Sequence, residues 1–519
     1  MRRGVDELWL PLNRCSLKQA GTLDCQRPCR WYVSQHCIGV ILKGGVLASD
    51  ERDSANPERG AVDDDAQRQS GARSPWLDQL GPRLVPTPLT GDVKTDVAII
   101  GAGIAGIATA FFLLRATEDK VLLVERTQAG HGASGRNAGQ LVTYFERPLC
   151  DLADAYGFDM AVSGQAEIDA AWGLLDLIVA ETGISAKVER IDGAMGMFTL
   201  NHLLVHLRNL RIRKQAGLEQ EIIEISEEAA FLGEIPAAFR DLYTIVSQAR
   251  IRQRLGVDLD DYVAVLVNKK GCGNSALLCQ DLLAYFKRQY PDRFEYADQT
   301  IVGHIVLEAD RAVLNAGPHL ITASRVILCT NAFSHHTVEN RFGEKIEAVS
   351  ENQMRARIGY MAAFKTPPGD APAATSYITN AEIGGPSPYL YMTRRPYHQG
   401  DQEATLTCIG GPEARVESLD SYAPDAEMPS EMLRLLDTQV RPAVAPNRPE
   451  GLDYDYRWHG LMAYTETMVR LIGFDPCNRV LMYNLGCNGV GFLPSIAGGL
   501  RIARLHAGQE MAASIFDPK

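Results

Sequence analysis

The sequence predicts an α/β fold built on a Rossmann-like nucleotide-binding unit, and three glycine-rich segments, at 101–106, 130–139 and 486–491, carry that prediction. The first lies in "TDVAIIGAGIAGIATAFFLL", residues 95–114, a run almost without charge whose length alone would suit a membrane helix. The run divides internally, however. Residues 97–100 form a short apolar strand, Gly101, Gly103 and Gly106 follow in G-x-G-x-x-G spacing, and an Ala/Phe/Leu-rich helix opens at Ile104 and Ala105. A bilayer requires no such change of period. A nucleotide site does: Gly101 makes the tight turn, Gly103 admits a pyrophosphate to the backbone, and Gly106 lets the helix pack closely. The helix N-terminus then offers amides and positive partial charge to phosphates.

A lone glycine fingerprint is weak, so its context decides. A second apolar strand, 121–124, ends in Glu125 and Arg126, and Glu125 stands 19 residues after Gly106, where a ribose-binding carboxylate belongs. Next comes "GHGASGRNAGQLV", residues 130–142, whose Ala133, Ser134, Gly135, Arg136, Asn137, Ala138, Gly139 and Gln140 read as a loop able to bring many amides against a ligand. Alone it would equally suit a surface loop. Near the C-terminus, "RVLMYNLGCNGVGFLPSIAGGLRIARL" repeats strand, turn and helix, with Gly486, Cys487, Asn488, Gly489, Val490 and Gly491 in the turn and Pro494 in the first helical turn.

Composition narrows the classes. With 46% apolar and 22% charged residues in 519, the chain reads as globular, with room for two or three domains. A net charge of −12 opposes nucleic acid and anionic membranes by repulsion, and "RNLRIRK", 208–214, reads as a solvated helix face. Eleven cysteines include four in the first 37 residues, but their spacing does not match a zinc ribbon, and no metal site is expected. The scattered remainder suggests reduced thiols and a cytoplasmic setting. Residues 49–74 are polar, charged and free of aromatics, so a partly disordered extension is expected over 1–75, with folded structure starting near Pro75-Trp76.

Further patterns place helices and a hairpin. "AEIDAAWGLLDLIVAETG" puts Ile168, Trp172, Leu175 and Val179 on one helix face before a Gly183 cap, and 275–290 carries Leu278, Leu282 and Phe286 as a core stripe. "YLYMTRRPYHQGDQEATLTCIGG", 389–411, reads as a hairpin turning at Gly400.

Together, "IIGAGIAGIATAFFL" with Glu125, "GASGRNAGQ" and "LGCNGVGFLPSIAGG" resemble the D-amino-acid oxidase superfamily of FAD-dependent oxidoreductases, over about residues 76–519. That group includes glycine oxidase, sarcosine oxidase and γ-glutamylputrescine oxidase. Two more segments fit: "FEYADQTIV", with Val302 on a strand over adenine, and "ASRVILCTNAF", with Thr330 and Asn331 returning to the cofactor. The resemblance implies an FAD-binding domain from 76–150, 270–340 and 455–519, and a discontinuous α+β substrate domain with an antiparallel sheet from 151–269 and 341–454. It implies oxidation of a carbon–nitrogen bond by hydride transfer to flavin N5, giving an imine, with the protein supplying orientation and electrostatics.

Tyr389, Tyr391, Arg394, Met462 and Tyr464 are the expected substrate-facing residues. In "RWHGLMAYT", 457–465, Met462 stands where sarcosine oxidases carry the cysteine that holds flavin and where glycine oxidase carries a carboxylate-gripping arginine. Non-covalent FAD and an amine with remote polar groups are therefore expected; Arg394 or Arg136 would be the anchor if the substrate were a larger amino acid. "ATLTCIGG", 404–411, lacks the lysine that sarcosine oxidases use for oxygen, which leaves oxygen, a quinone or another carrier as acceptor. The alternatives are a flavin dehydrogenase of a 2-hydroxy acid or glycerol phosphate, and a non-catalytic nucleotide-binding protein.

Overall fold

A computed structural model of the chain describes residues 73–81, 85–256, 261–333, 336–346, 354–378, 389–400, 402–416, 418–444 and 452–519. The four N-terminal cysteines and most of the expected extension lie outside these residues. Ser74 caps the short helix Pro75–Asp78, in which Trp76 is fully buried.

The first sheet is organised by five parallel strands in the spatial order Phe294–Ala297, Val121–Val124, Val93–Ile100, the second half of His319–Leu328, and Leu481–Leu485. These strands read as near-continuous apolar runs because both faces are covered. Their C-terminal ends meet at one edge, since Ile100 pairs with both Val124 and Leu328. An antiparallel meander, Val302–Leu307 and Ala312–Ala316, extends the sheet beside the first half of His319–Leu328.

The apolar run at 95–114 resolves into a strand and the helix Ile104–Ala116, buried nearly all round between the sheet and the C-terminal helix Phe492–His506. Their approach is set by Gly499, whose added Cβ would lie 2.7 Å from the Ala108 carbonyl carbon. No described helix is long and apolar enough to cross a membrane.

The second sheet is larger and mostly antiparallel, and from one edge inward it runs Tyr456–Thr465, Met354–Thr366, Gln402–Arg415, Tyr389–Gln399 and Ala373–Ile378. The expected hairpin is there, with Gly400 at φ 57° in its turn. Tyr456–Thr465 falls within the span 455–519, yet it pairs with Met354–Thr366 in this second sheet; the chain returns to the first sheet only at Leu471–Phe474.

Two helical details differ from the sequence expectation. The stretch 158–182 is two helices, Phe158–Asp169 and Ala171–Thr182, and Ile178 is buried where Val179 was expected; Val179 is exposed. The break at Ala170 rotates the stripe, so Trp172, Leu175 and Ile178 follow an i, i+3, i+6 course before the left-handed Gly183 cap. Arg213, expected on a solvated face, is buried, with Nη2 2.9 Å from Asp169 and Nε donating to the Glu219 carbonyl.

Candidate active site

A cavity of about 580 Å³ lies along the C-terminal edge of the parallel strands, and its far wall comes from the second sheet. Open α/β sheets bind ligands at this edge. The glycine turn shows why these residues are needed. Gly101 has φ 103°, and a Cβ there would meet the Cys329 carbonyl at 2.6 Å, so only glycine lets the turn lie against the neighbouring strand end. A Cβ on Gly106 would lie 1.8 Å from the Gly101 carbonyl oxygen. Gly103 precedes the helix and brings no side chain of its own over the dipole end, where a ligand can approach the backbone.

Glu125 closes this end. Its carboxylate accepts from Ala102 N at 2.9 Å and from Thr127 N and Oγ1 at 2.9 and 3.0 Å. Desolvation nevertheless raises its pKa, with these bonds opposing the rise. Ser134 Oγ accepts from Ile104 N at 2.9 Å, tying the second glycine loop to the helix start. Asn137 braces that loop, donating to Ser275 Oγ at 2.7 Å and accepting from Gly139 N at 2.7 Å.

Of the residues expected to hold a cofactor, the first segment contributes Gly101, Gly103, Ile104, Ala105, Glu125 and Arg126 to the cavity wall. Ala133, Ser134, Arg136, Asn137, Ala138 and Gln140 line it from the second loop, and Val302, Thr330 and Asn331 from the middle segments. Gly486, Cys487, Gly489, Val490 and Gly491 complete the wall. Gly106, Gly135, Gly139 and Asn488 do not line it. The three glycines sit where backbone or Trp76 and Leu77 leave no room for a Cβ. Asn488, with φ 46°, turns inward, where Oδ1 accepts from Thr465 N at 2.8 Å and so braces the loop against the second sheet.

Tyr391, Met462 and Tyr464 line the substrate end. Arg394 does not: its Nε donates to the Ala371 carbonyl at 2.9 Å, because strand alternation points it to the side opposite Tyr391. Tyr389 opens its strand, but its side chain lies outside the described residues. Arg136 borders the cavity with both terminal nitrogens engaged, Nη1 on the Pro424 carbonyl and Nη2 on Asp425, each at 2.7 Å.

Sequence reasoning missed a second group on the same wall: Tyr144, Glu146, Glu413 and Arg470. Tyr464 donates to Glu413 Oε1 at 3.0 Å, and Arg357 reaches Glu413 Oε2 at 3.4 Å. Burial raises the Glu413 pKa against both contacts. The point a Cβ on Gly489 would occupy lies 3.0 Å from Tyr464 Oη and 3.1 Å from Glu146 Oε1, so glycine keeps that space open beside both side chains. Burial also keeps the Tyr144, Tyr391 and Tyr464 phenols protonated. Glu413 could have been found, two residues beyond the glycine pair of the hairpin strand; Glu146 and Arg470 stand in stretches with no motif.

The model of the FAD-dependent oxidoreductase family known as DAO matches residues 96–505. The chain belongs to that family. Membership makes it an FAD-dependent oxidoreductase, and the cradle fits FAD: glycines at each backbone approach, a carboxylate at the second strand end and a helix N-terminus that opens on glycine. Among relatives, γ-glutamylputrescine oxidoreductase of Escherichia coli K12 is 40% identical over 73 residues, 14% of this chain and 17% of that protein. The matched stretch thus spans under a fifth of that relative. Among solved structures, glycine oxidase from Geobacillus kaustophilus superposes with a TM-score of 0.60 at 17% identity, covering 82% of this chain and 99% of that one. L-α-glycerophosphate oxidase from Mycoplasma pneumoniae, solved with FAD bound, superposes at 0.54 with 14% identity over 79% and 94%. At such identities these DAO-family structures establish the shared fold and leave the substrate open.

Proposed function

We propose that this protein oxidises the carbon–nitrogen bond of an amine whose other polar groups are held away from the reacting carbon. The observation that carries this reading is the pair of carboxylates, Glu146 and Glu413, set among Tyr144, Tyr391 and Tyr464 on the cavity wall. Carboxylates and phenol faces attract an ammonium group. The guanidinium beside them, Arg357, lies over the Tyr464 ring at 5.2 Å and pairs with Glu413, and Met462 offers a thioether with no charge. A glycerol phosphate or 2-hydroxy acid seated between Glu146 and Glu413 would bring negative charge against these carboxylates, which disfavours the dehydrogenase alternative at that position.

FAD, bound in the cradle, supplies the two-electron acceptor that no side chain provides. The remaining work falls to this chain. Glu146 and Glu413 hold the substrate nitrogen, and Tyr464 fixes the Glu413 carboxylate by donating to Oε1. A carboxylate with a raised pKa is suited to take the proton an ammonium must lose before its neighbouring C–H bond breaks. The seven described cysteines are free, which supports a reducing, cytoplasmic setting.

The test is anaerobic flavin bleaching by a panel: N-acylated diamines, N-alkyl amines, glycine, D-alanine, sarcosine, lactate and glycerol phosphate. Amines should bleach rapidly and glycine and D-alanine slowly, because a small carboxylate would meet Met462 and two carboxylates. Fast bleaching by D-alanine, lactate or glycerol phosphate, with no response to amines, overturns the reading.

FAD is expected to be released by acid precipitation, leaving a colourless pellet. The thiols on the cavity wall are Cys329, pushed up to about 12 by burial, and Cys487, also raised, so neither presents the thiolate that attacks a flavin methyl. A yellow pellet contradicts this. Among the described residues no lysine lines the cavity. Reoxidation by oxygen should therefore be slow beside that by a quinone or dye, and peroxide formation as fast as dye-linked turnover would refute the expectation.

A further inference from the structure

Arg470 is 6% exposed, borders the cavity, and has no acidic partner among its described contacts. Its Nε donates to Asn484 Oδ1 at 2.8 Å and its Nη2 to the Asn484 carbonyl at 3.1 Å, while Nη1 is enclosed without a hydrogen-bond partner. The ionisable groups that act on it are Cys329 and Cys487, both thiols that burial keeps neutral. Burial lowers the Arg470 pKa to about 10, so the guanidinium is charged at neutral pH. A buried cation with no acid hydrogen-bonded or ion-paired to it, although Glu146 lines the same cavity, is costly and is retained where an anion offsets it.

Its position indicates which anion. Asn484, which holds the guanidinium, also donates to the Ala105 carbonyl at 3.4 Å and to Thr109 Oγ1 at 3.1 Å, and so joins Arg470 to the first turns of the helix behind the glycine turn. Cys329, whose carbonyl packs against Gly101, is the other neighbour. We propose that Arg470 is a cofactor-binding residue whose buried charge, oriented by Asn484, is neutralised by the pyrophosphate of bound FAD. The apo-protein then carries an unpaired buried charge, and FAD binding relieves it. This goes beyond the proposed amine oxidation and stands independently of the substrate.

The test measures FAD binding to apo-protein by flavin fluorescence quenching, ADP binding by competition, and apo-protein Tm, none of which requires turnover. R470M should raise the FAD Kd at least 10-fold and weaken ADP similarly, while the apo Tm stays equal to or above that of the wild type. An FAD Kd within twofold of wild type overturns the proposal. So does weakened FAD with unchanged ADP, which would assign the charge to the flavin instead. R470K covers the case in which R470M does not fold. A buried lysine loses its proton more readily, so the FAD affinity of R470K should fall between pH 7 and 9 while that of the wild type stays level. A level R470K profile would count against the pyrophosphate assignment. Wild-type protein in the same titration separates a failure of the Arg470 proposal from a failure to bind FAD at all.

Discussion

Replacing Glu413 by glutamine is expected to slow amine-dependent flavin reduction by about 10- to 150-fold while leaving FAD bound. The magnitude is that of one charge-assisted contact, about 1.5–3 kcal/mol, at about 1.4 kcal/mol per factor of ten. The geometry isolates the effect, because Glu413 bonds Tyr464 and Arg357 in the second sheet and contacts no residue of the glycine cradle in the described hydrogen bonds. The pH dependence should change as well. Desolvation raises the Glu413 pKa, with Arg357 and the Tyr464 hydroxyl opposing the rise, and Tyr391 and Glu146 share its cavity wall. Its carboxylate therefore forms only as pH climbs through a value above the usual glutamate range, and amine reduction should rise along that acidic limb. E413Q should lose the limb. Stability has the opposite sign: a carboxyl with a raised folded pKa stabilises most below its unfolded pKa, and that contribution is lost as pH rises through the folded pKa. Glutamine does not titrate, so E413Q should be at least as stable as the wild type at neutral pH. Stopped-flow reduction and a thermal melt across pH 5–9 decide it. Wild-type reduction rates in E413Q would remove the carboxylate from the mechanism. Y464F should show a smaller loss, about threefold to tenfold, because it removes a neutral donor.

The fold was more legible than the substrate end, and the reason is physical. A dinucleotide turn constrains backbone, and backbone constraint is written as glycine at fixed spacing. Gly101 and Gly106 declare themselves because any Cβ would collide with main-chain atoms at 2.6 and 1.8 Å. The apolar strands 97–100 and 121–124 declare themselves through burial on both faces. The substrate wall has no such signature. Glu146, Glu413 and Arg470 come from three distant segments; Glu146 and Arg470 stand in loops, and Glu413 reaches the wall through the register of its strand, in which Gly410 pairs with Tyr391. Register also explains Arg394, which shares a strand with Tyr391 but stands three residues on and so faces the other side. Val179 and Ile178 show the same limit in a helix, where a one-residue break at Ala170 rotated the buried stripe.

Gly106→Ala is expected to yield protein without bound FAD. The added methyl would be placed 1.8 Å from the Gly101 carbonyl oxygen, a backbone atom that no rotamer change can move. Relief requires the helix Ile104–Ala116 to shift away from the turn. That helix is packed against the sheet on one side and against Gly499 of the C-terminal helix on the other, where a Cβ would already meet the Ala108 backbone. The turn must therefore deform, and with it the approach that Gly103 and the helix N-terminus offer to a pyrophosphate. Overpacking of this kind costs about 1–3 kcal/mol in stability. The loss of FAD should be larger, since both the backbone approach and the dipole end move together. Gly173→Ala is the matched control. Gly173 lies inside the helix Ala171–Thr182, and a Cβ there meets nothing within 4 Å, so the substitution should stabilise by up to about 1 kcal/mol through helix propensity and leave FAD content unchanged. The measurement is the ratio of flavin to protein absorbance after gel filtration, with a thermal melt of each variant. A Gly106→Ala protein as yellow as the wild type would show that the cofactor does not depend on this turn.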